Sequence, residues 1–378
     1  MAATTNPLST GALPIQTIET TAIRVPLKRV YQGSHYHMTH RSTVIVRITA
    51  GDLVGEAYAG DEDSSLLEIE QIINEEIAPK LAGEDAMAIE RCWELCRPAT
   101  FDILRDRRLG LVATAGVDLA LWDLVGKALG QPLWRLWGGY RNRLQMIAIG
   151  GYYAPDADIA AEVAELRAMG LAGLKFKVGG LSAEEDAARF RLAREAAGDD
   201  FLLAADANQG WTPREAVRFA RSVADLDLLW FEEPCQWHND RSAMRDVRFQ
   251  SGARVCAGQT EMSAAGCRDL MVAGAIDVCN FDSSWSGGPT EWRRVAAMAH
   301  TFDLTMTHHE EPQVSSHLLA SIPHGGYVEC FHPDRDPIWW GLIANRPPLR
   351  DGFLELSDAP GLGWELDADY IERHRVAR

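Results

Sequence analysis

The sequence predicts an α/β protein whose larger part is a closed barrel of alternating strands and helices, preceded by a smaller α+β region. From about residue 143 onward, short apolar strands alternate with amphipathic helical patches at a period of roughly 20 to 30 residues, the pattern of repeated βα units. Before that point strand-like segments come first and helical periodicity follows, the order of an α+β unit. No GxGxxG motif opens any of the helices and no P-loop lysine is present, so a doubly wound nucleotide-binding sheet loses its main support.

Taken in order, residues 18–25 and 42–48 read as an antiparallel hairpin, with the polar, aromatic stretch 31–41 as a long tip and a further short strand at 54–58. Helical periodicity follows over 65–81, 89–96 and 111–129. The barrel strands are expected at 144–150, 174–178, 202–207, 228–232, 255–261, 278–282, 304–309 and 327–331. The helices between them are expected at 159–169, 184–197, 213–223, 264–273, 292–300 and 314–321. Eight strands in this rhythm imply closure.

Composition agrees with a folded, soluble chain: 378 residues, 47% hydrophobic and 24% charged, enough to bury a substantial core and far from disordered or collagen-like usage. Lys and Arg number 37 against 54 Asp and Glu, a formal charge of −17, which disfavours nucleic acid and anionic membranes as partners. An acidic substrate would therefore need a local cluster of cations or a metal. The seven cysteines include no CxxC pair and read as reduced, buried thiols. The N-terminus has neither a basic nor an apolar leader region, and no run of eighteen apolar residues occurs. The expectation is a cytoplasmic protein with a short frayed arm, no membrane and no nucleic acid.

Titratable residues gather at the C-terminal ends of the expected strands, where a βα barrel builds its active site: Lys175 and Lys177, Asp206 with Asn208, Glu232 and Glu233, Glu261, Asp282, His308 and His309, and Glu329. A single strand-end acid often caps the next helix; seven successive strands ending this way have no structural need to do so. Asp206, Glu232 and Glu261 come from consecutive strands, and three hard oxygen donors without His or Cys suit Mg²⁺. The sequence itself prefers Glu232 over Glu233 only weakly. Lys175 and Lys177 lie two apart and point into the barrel, where mutual repulsion is expected to depress their pKa and leave one as a general base. Opposite them, Asp282 is placed to orient His309 as a second base.

At these residues the chain resembles the enolase superfamily, and within it the mandelate racemase group (mandelate racemase and muconate lactonizing enzyme), over nearly its full length. The shared signatures are Lys175-Phe-Lys177, Asp206-Ala-Asn208, Phe231-Glu232-Glu233-Pro234, Glu261 after Gly258-Gln-Thr, Asp282 before Gly287-Gly288, and Ser316-His317-Leu-Leu-Ala320 leading to Glu329. The stretch from Ala115 to Asp123 and Pro360-Gly361-Leu-Gly363 match as well. The resemblance implies a (β/α)7β TIM-like barrel, residues 144–345, under an α+β capping domain, residues 14–143, completed by 346–378. It implies Mg²⁺ on Asp206, Glu232 and Glu261, Lys177 as one base with Lys175 assisting at the carboxylate, the Asp282–His309 dyad as the opposite base, and Glu329 hydrogen-bonding the enolate oxygens. Family spacing selects His309 over His308 and Glu232 over Glu233. It also implies a homo-oligomer, and the tryptophan-rich segments 134–137 and 339–340 read as exposed interfaces or cap contacts.

The implied reaction is removal of the proton α to a carboxylate of a small-molecule acid, giving an enediolate. Two opposed bases serve either a racemase or epimerase of a hydroxy or amino acid derivative or an acid-sugar (aldonate or aldarate) dehydratase; the resemblance of the set Lys177, Asp282, His309 and Glu329 to that of mandelate racemase favours the first, with the dehydratase as the alternative. A Schiff-base aldolase leaves three converging carboxylates unexplained, and a non-catalytic barrel would be expected to have lost a ligand or base. The expected substrate-binding residues are Tyr31 and His35 of the first loop, Tyr58 of the second, Asn208, and Trp285, which stands where mandelate racemase carries a lysine. The acidic run Asp61-Glu62-Asp63 reads as solvated loop charge or as a contact for a polyhydroxylated group.

Overall fold

The computed structural model describes residues 11–61, 65–155 and 157–377, so most of the expected N-terminal arm and Glu62 and Asp63 of the acidic run lie outside the described residues. The chain opens with an antiparallel meander, β1 (Thr17–Gln32), β2 (His37–Ala50) and β3 (Leu53–Tyr58). The expected long tip is shorter than its sequence. Pro26 cannot donate to the ladder, which breaks there and resumes with Tyr31 opposite Met38 and Gln32 opposite His37, leaving only residues 33–36 as the turn.

The helices α1 (Leu66–Gln71), α2 (Ala78–Leu81), α3 (Ile89–Cys96), α4 (Arg107–Leu129) and α5 (Leu133–Leu136) complete the cap. Between α1 and α2 the expected single helix widens into a π turn, Ile72–Ile77. The Asp106 carboxylate accepts from the Arg108 N–H at the start of α4, and Gly130, at φ 63°, ends it. By length and composition α4 could cross a membrane, yet 89% of its apolar stretch is buried inside the protein, where it is the core helix beneath the meander. Gly55 of β3 permits that closeness: a Cβ there would meet the Ala120 carbonyl at 2.2 Å.

The remaining strands are β4 (Arg143–Gly150), β5 (Gly173–Lys177), β6 (Leu202–Asp206), β7 (Leu228–Glu232), β8 (Val255–Ala257), β9 (Val278–Cys279), β10 (Thr305–Met306) and β11 (Val328–Phe331). They are joined by α6 (Ile159–Ala168), α7 (Ala183–Ala197), α8 (Pro213–Ser222), α9 (Asp240–Ser251), α10 (Ala264–Val272), α11 (Pro289–Thr301) and α12 (Pro312–Ser321). The strands run parallel in the order β10-β9-β8-β7-β6-β5-β4-β11, and a bridge from Met306 to Gly325, just before β11, closes the ring. This is the expected TIM-like barrel with its α+β cap. Ile147, Ala204, Trp230, Cys256 and Val278 fill its interior, each large side chain contributing about 1.5–3 kcal/mol by burial.

Three strands are shorter than expected, pairing ending at Ala257, Cys279 and Met306. The polar residues beyond those points belong to rim turns. Helix α9 carries little apolar periodicity, because only Ala243, Met244 and Val247 form its apolar buried stripe on an otherwise charged segment. After β11, α13 (Pro337–Leu342) leads to β12 (Phe353–Glu355), which pairs antiparallel with β4, and α14 (Ala368–His374) returns to the cap, with Arg375 bridging Ile23. The tryptophan segments are not exposed as expected: Trp134, Trp137 and Trp339 are buried within the chain. All seven cysteines are free and buried.

Candidate active site

Side chains alternate across each strand, so the inward positions above the last apolar layer face the barrel mouth. β5 supplies Lys175 and Lys177, β6 supplies Asp206 above Ala204, β7 supplies Glu232 above Trp230, and β11 supplies Glu329. Strand register sets Lys177 opposite Asp206 and Asp206 opposite Glu232. Lys175 Nζ lies 2.7 Å from Glu232 Oε1 and 2.7 Å from Glu329 Oε1, and Lys177 Nζ lies 2.7 Å from Asp206 Oδ2. The Trp230 indole donates to Glu232 Oε2 at 3.0 Å, and the Asn208 backbone N–H donates to Asp206 Oδ1 at 2.8 Å.

The expected mutual depression of the two lysines is overturned. Burial pulls both down, but Glu232 and Glu329 around Lys175, and Asp206 beside Lys177, outweigh it and hold both above their ordinary value. Burial pushes Asp206 up, yet the two ammonium groups hold it below the usual carboxylate range. For Glu232 burial prevails over Lys175 and raises its carboxyl to about 8.

Across the mouth, Asp282 Oδ2 lies 2.9 Å from His309 Nδ1, and Glu310 Oε1 lies 3.1 Å from His309 Nε2. The imidazole is clamped between two carboxylates. Burial pulls its pKa down, but Glu310 and Asp282 raise it well above the ordinary histidine value and so favour the protonated ring. His308 points elsewhere: its Nε2 accepts from the Ser283 N–H at 3.0 Å, and burial lowers its pKa. Glu310 and Glu311 sit at φ 53° and 47°, a strained left-handed pair that turns both carboxylates inward. The Glu310 backbone N–H donates to Glu329 at 3.1 Å, tying the last two strands together.

Beneath the cap lies a second charged group. The buried guanidinium of Arg41 meets Asp61 at 2.5 Å, Glu311 at 2.7 Å, Asp336 at 3.2 Å and Glu310 at 3.4 Å. Arg335, also buried, stacks 4.3 Å from the Phe331 ring, and its Nε and Nη1 have no hydrogen-bond partner among the described residues. Tyr152 packs edge-on against Tyr31, centroids 5.2 Å apart, and its hydroxyl has no hydrogen-bond partner among the described residues.

The expected substrate-binding residues divide. Tyr31 joins this aromatic wall with Ile149 and Phe331. Trp285 lies 4.9 Å from the His309 ring, and the hydroxyl of buried Tyr58, near Glu311, has no hydrogen-bond partner among the described residues. Asn208 sits on Asp206 with its Oδ1 unpartnered. His35 is exposed on the short turn, and its neighbour Tyr36 instead faces the site, its ring 5.8 Å from Lys177 Nζ. Tyr36, Tyr152, Arg335 and Glu310 were not anticipated. Only Glu310 left a local signal, adjacency to His309.

Of the expected metal ligands, Asp206 and Glu232 stand together, fully buried, while Glu261 lies 2.7 Å from Arg241 Nη2. Among the described residues no three His, Cys, Asp or Glu side chains are gathered closely enough to hold a metal. Oxygen donors are nonetheless available: two carboxylates and the unpartnered amide oxygens of Asn208 and Gln259. All are hard ligands of the kind Mg²⁺ takes.

Comparison with known proteins decides the family. Residues 16–138 match the mandelate racemase / muconate lactonizing enzyme N-terminal domain, and residues 158–370 match the enolase C-terminal domain-like family. The chain belongs to the mandelate racemase/muconate lactonizing enzyme group of the enolase superfamily. It is an enzyme of that superfamily. A mandelate racemase/muconate lactonizing enzyme from a marine actinobacterium, solved in complex with magnesium, is 61% identical, with a TM-score of 0.92 over 97% of this chain and all of that one. The 3,6-anhydro-alpha-L-galactonate cycloisomerase of Streptomyces coelicolor is 32% identical over 96% of this chain and 99% of its own. The arabinonate dehydratase of Saccharolobus solfataricus is 29% identical over 85% and 86%.

Proposed function

We propose that this enzyme is a Mg²⁺-dependent acid-sugar dehydratase: it removes the proton α to the carboxylate of a polyhydroxylated acid and expels the β-hydroxyl as water. The observation that carries the reading is the His309 imidazole held between Asp282 at 2.9 Å and Glu310 at 3.1 Å. A ring so placed is a proton donor, the group an elimination needs beside its leaving hydroxyl. The cycloisomerase and the dehydratase among the relatives, and the magnesium in complex with the marine homologue, support the same reading.

Asp206 and Glu232 would hold the cation, which when bound supplies positive charge to the substrate carboxylate as the α-carbon loses its proton. Once Asp206 is committed there, Lys177 loses the partner that holds its proton and becomes available as the base. Lys177 takes the α-proton. The C–H electron pair forms the new C=C bond as the β C–O bond breaks, and His309 delivers its proton to the departing hydroxyl. The enol left behind tautomerises to a 2-oxo-3-deoxy acid. Lys175, between Glu232 and Glu329, places a fixed ammonium where the carboxylate oxygens gain charge, while Glu329 orients it. Tyr36, Tyr152, Tyr31, Tyr58, Trp285 and the cap exclude water above the reacting carbon.

Proton NMR in D₂O with Mg²⁺ and a panel of aldonic and aldaric acids tests this. A new deoxy methylene signal, matched by loss of the α-proton, is the expected result. Exchange of the α-proton with retention of the carbon skeleton would replace dehydration by racemisation or epimerisation.

A further inference from the structure

On the reading that Asp206 and Glu232 hold Mg²⁺, we propose that Gln259, not Glu261, supplies the third oxygen donor from the barrel. Glu261 is already engaged. Its backbone N–H closes a turn onto the Gly258 carbonyl at 3.0 Å, and its own carbonyl accepts from Ser286 Oγ at 2.8 Å. That turn carries the carboxylate away from the strand ring and onto the flanking helices. There Arg241 of α9, itself held by Asp240 at 2.8 Å, donates to Glu261 Oε1 at 2.7 Å. The other oxygen rests on the first turn of α10 at Gly266, where a single methyl group would come within 2.0 Å of it. Glu261 is thus the acid of an ion pair that staples α9 to α10, in a seat that Gly266 keeps open.

Gln259 has the opposite character. It is 4% exposed, and its backbone N–H donates to Asn280 Oδ1 at 3.1 Å, pinning it to the rim beside the neighbouring strand. Asn280 shares strand parity with Val278, which fills the barrel, and with Asp282, which orients His309, so it lies on the inner side. The Gln259 side-chain oxygen is buried and has no hydrogen-bond partner among the described residues. A buried amide oxygen left so costs about 1–3 kcal/mol, a cost that a bound cation removes. Because β8 lies between β7 and β9, its end is the next position round the ring from Glu232.

An amide oxygen there changes the charge of the centre. Two carboxylates and a neutral amide balance a divalent cation, whereas three carboxylates would leave an extra negative charge facing an anionic substrate. In a chain of formal charge −17 that difference favours binding of an acid.

The test measures cation affinity directly, with no substrate present: Mn²⁺ titration followed by electron paramagnetic resonance, with Mg²⁺ competition, on wild type, Gln259→Leu, Gln259→Glu and Glu261→Gln. Gln259→Leu is expected to weaken binding at least tenfold. Gln259→Glu is expected to tighten it about tenfold, since affinity follows ligand charge, a gain that loss of folding cannot imitate. Glu261→Gln is expected to lower the melting temperature while leaving affinity within twofold. Weakening by Glu261→Gln equal to or beyond that of Gln259→Leu, or an unchanged affinity in Gln259→Glu, would overturn the assignment. Wild type that binds no divalent cation would overturn the metal reading as well.

Discussion

Replacing Glu310 by Gln should lower the pKa of His309 and make the ring give up its proton more readily. In the present structure Glu310 Oε1 lies 3.1 Å from His309 Nε2, and Asp282 lies 2.9 Å from Nδ1. A unit charge at that separation interacts by about 5 kcal/mol at an effective dielectric of about 20. Arg41 at 3.4 Å draws on the same carboxylate, and the glutamine oxygen keeps the hydrogen bond, so only part of this is lost. The expected fall in the His309 pKa is about 1–3 units, the usual range for removal of one close opposite charge. Because His309 must be protonated to expel the leaving group, kcat falls as pH rises through its pKa, and the variant's alkaline limb should move down by that amount. The stability sign is the same. A histidine raised above its unfolded value of about 6.5 stabilises fully below that pH and loses the contribution as pH rises through the folded value, so the variant is destabilised most at acidic and neutral pH. The pH dependence of kcat and the ¹⁵N shifts of labelled histidine report the pKa independently. An alkaline limb unmoved in a folded, active variant would refute the acid assigned to His309.

The remaining predictions concern other parts of the same site. Exhaustive chelation should abolish turnover, and Mg²⁺ should restore it and raise the melting temperature; a cation at a hundredfold over its Kd stabilises by about 2.7 kcal/mol. Turnover persisting in metal-free protein would exclude the cation from the reaction. Arg335→Met removes two buried donors that have no partner among the described residues and should raise KM for long-chain acid sugars at least tenfold, while affecting a three-carbon hydroxy acid little; equal effects on both would show that Arg335 does not meet the part of the substrate beyond the reacting carbons. Arg41→Met strands Asp61, Glu311 and Asp336, and should cost about 3–5 kcal/mol of stability by denaturant titration. Glu311, which burial already raises to about 8, takes up a proton first and spares part of that loss.

The sequence by itself carries the architecture and the identity of most reacting groups. A period of two within strands and a regular alternation with helices are local properties, so Lys175, Lys177, Asp206, Glu232 and Glu329 can be placed on the inner face by parity alone. His309 and Asp282 follow from the same rule, because successive barrel strands are spatial neighbours. What parity cannot follow is a strand that stops early. Pairing in β8 ends at Ala257, and a single turn at Gly258 carries Glu261 out to Arg241 while Gln259 stays at the rim. Each is held by a partner that the local sequence does not identify, Glu261 by Arg241 of α9 and Gln259 by Asn280 beyond β9. The same holds for the clamp on His309. Glu310 turns inward only through a left-handed backbone that its own sequence does not favour, held by Glu329 and by Arg41 from the cap. Likewise His35 is excluded and Tyr36 admitted because the hairpin resumes pairing past Pro26 and shortens the loop. Periodic, local interactions thus specify which residues belong to the mouth of the barrel; long-range packing and the pairing of buried charges decide which of them face one another there.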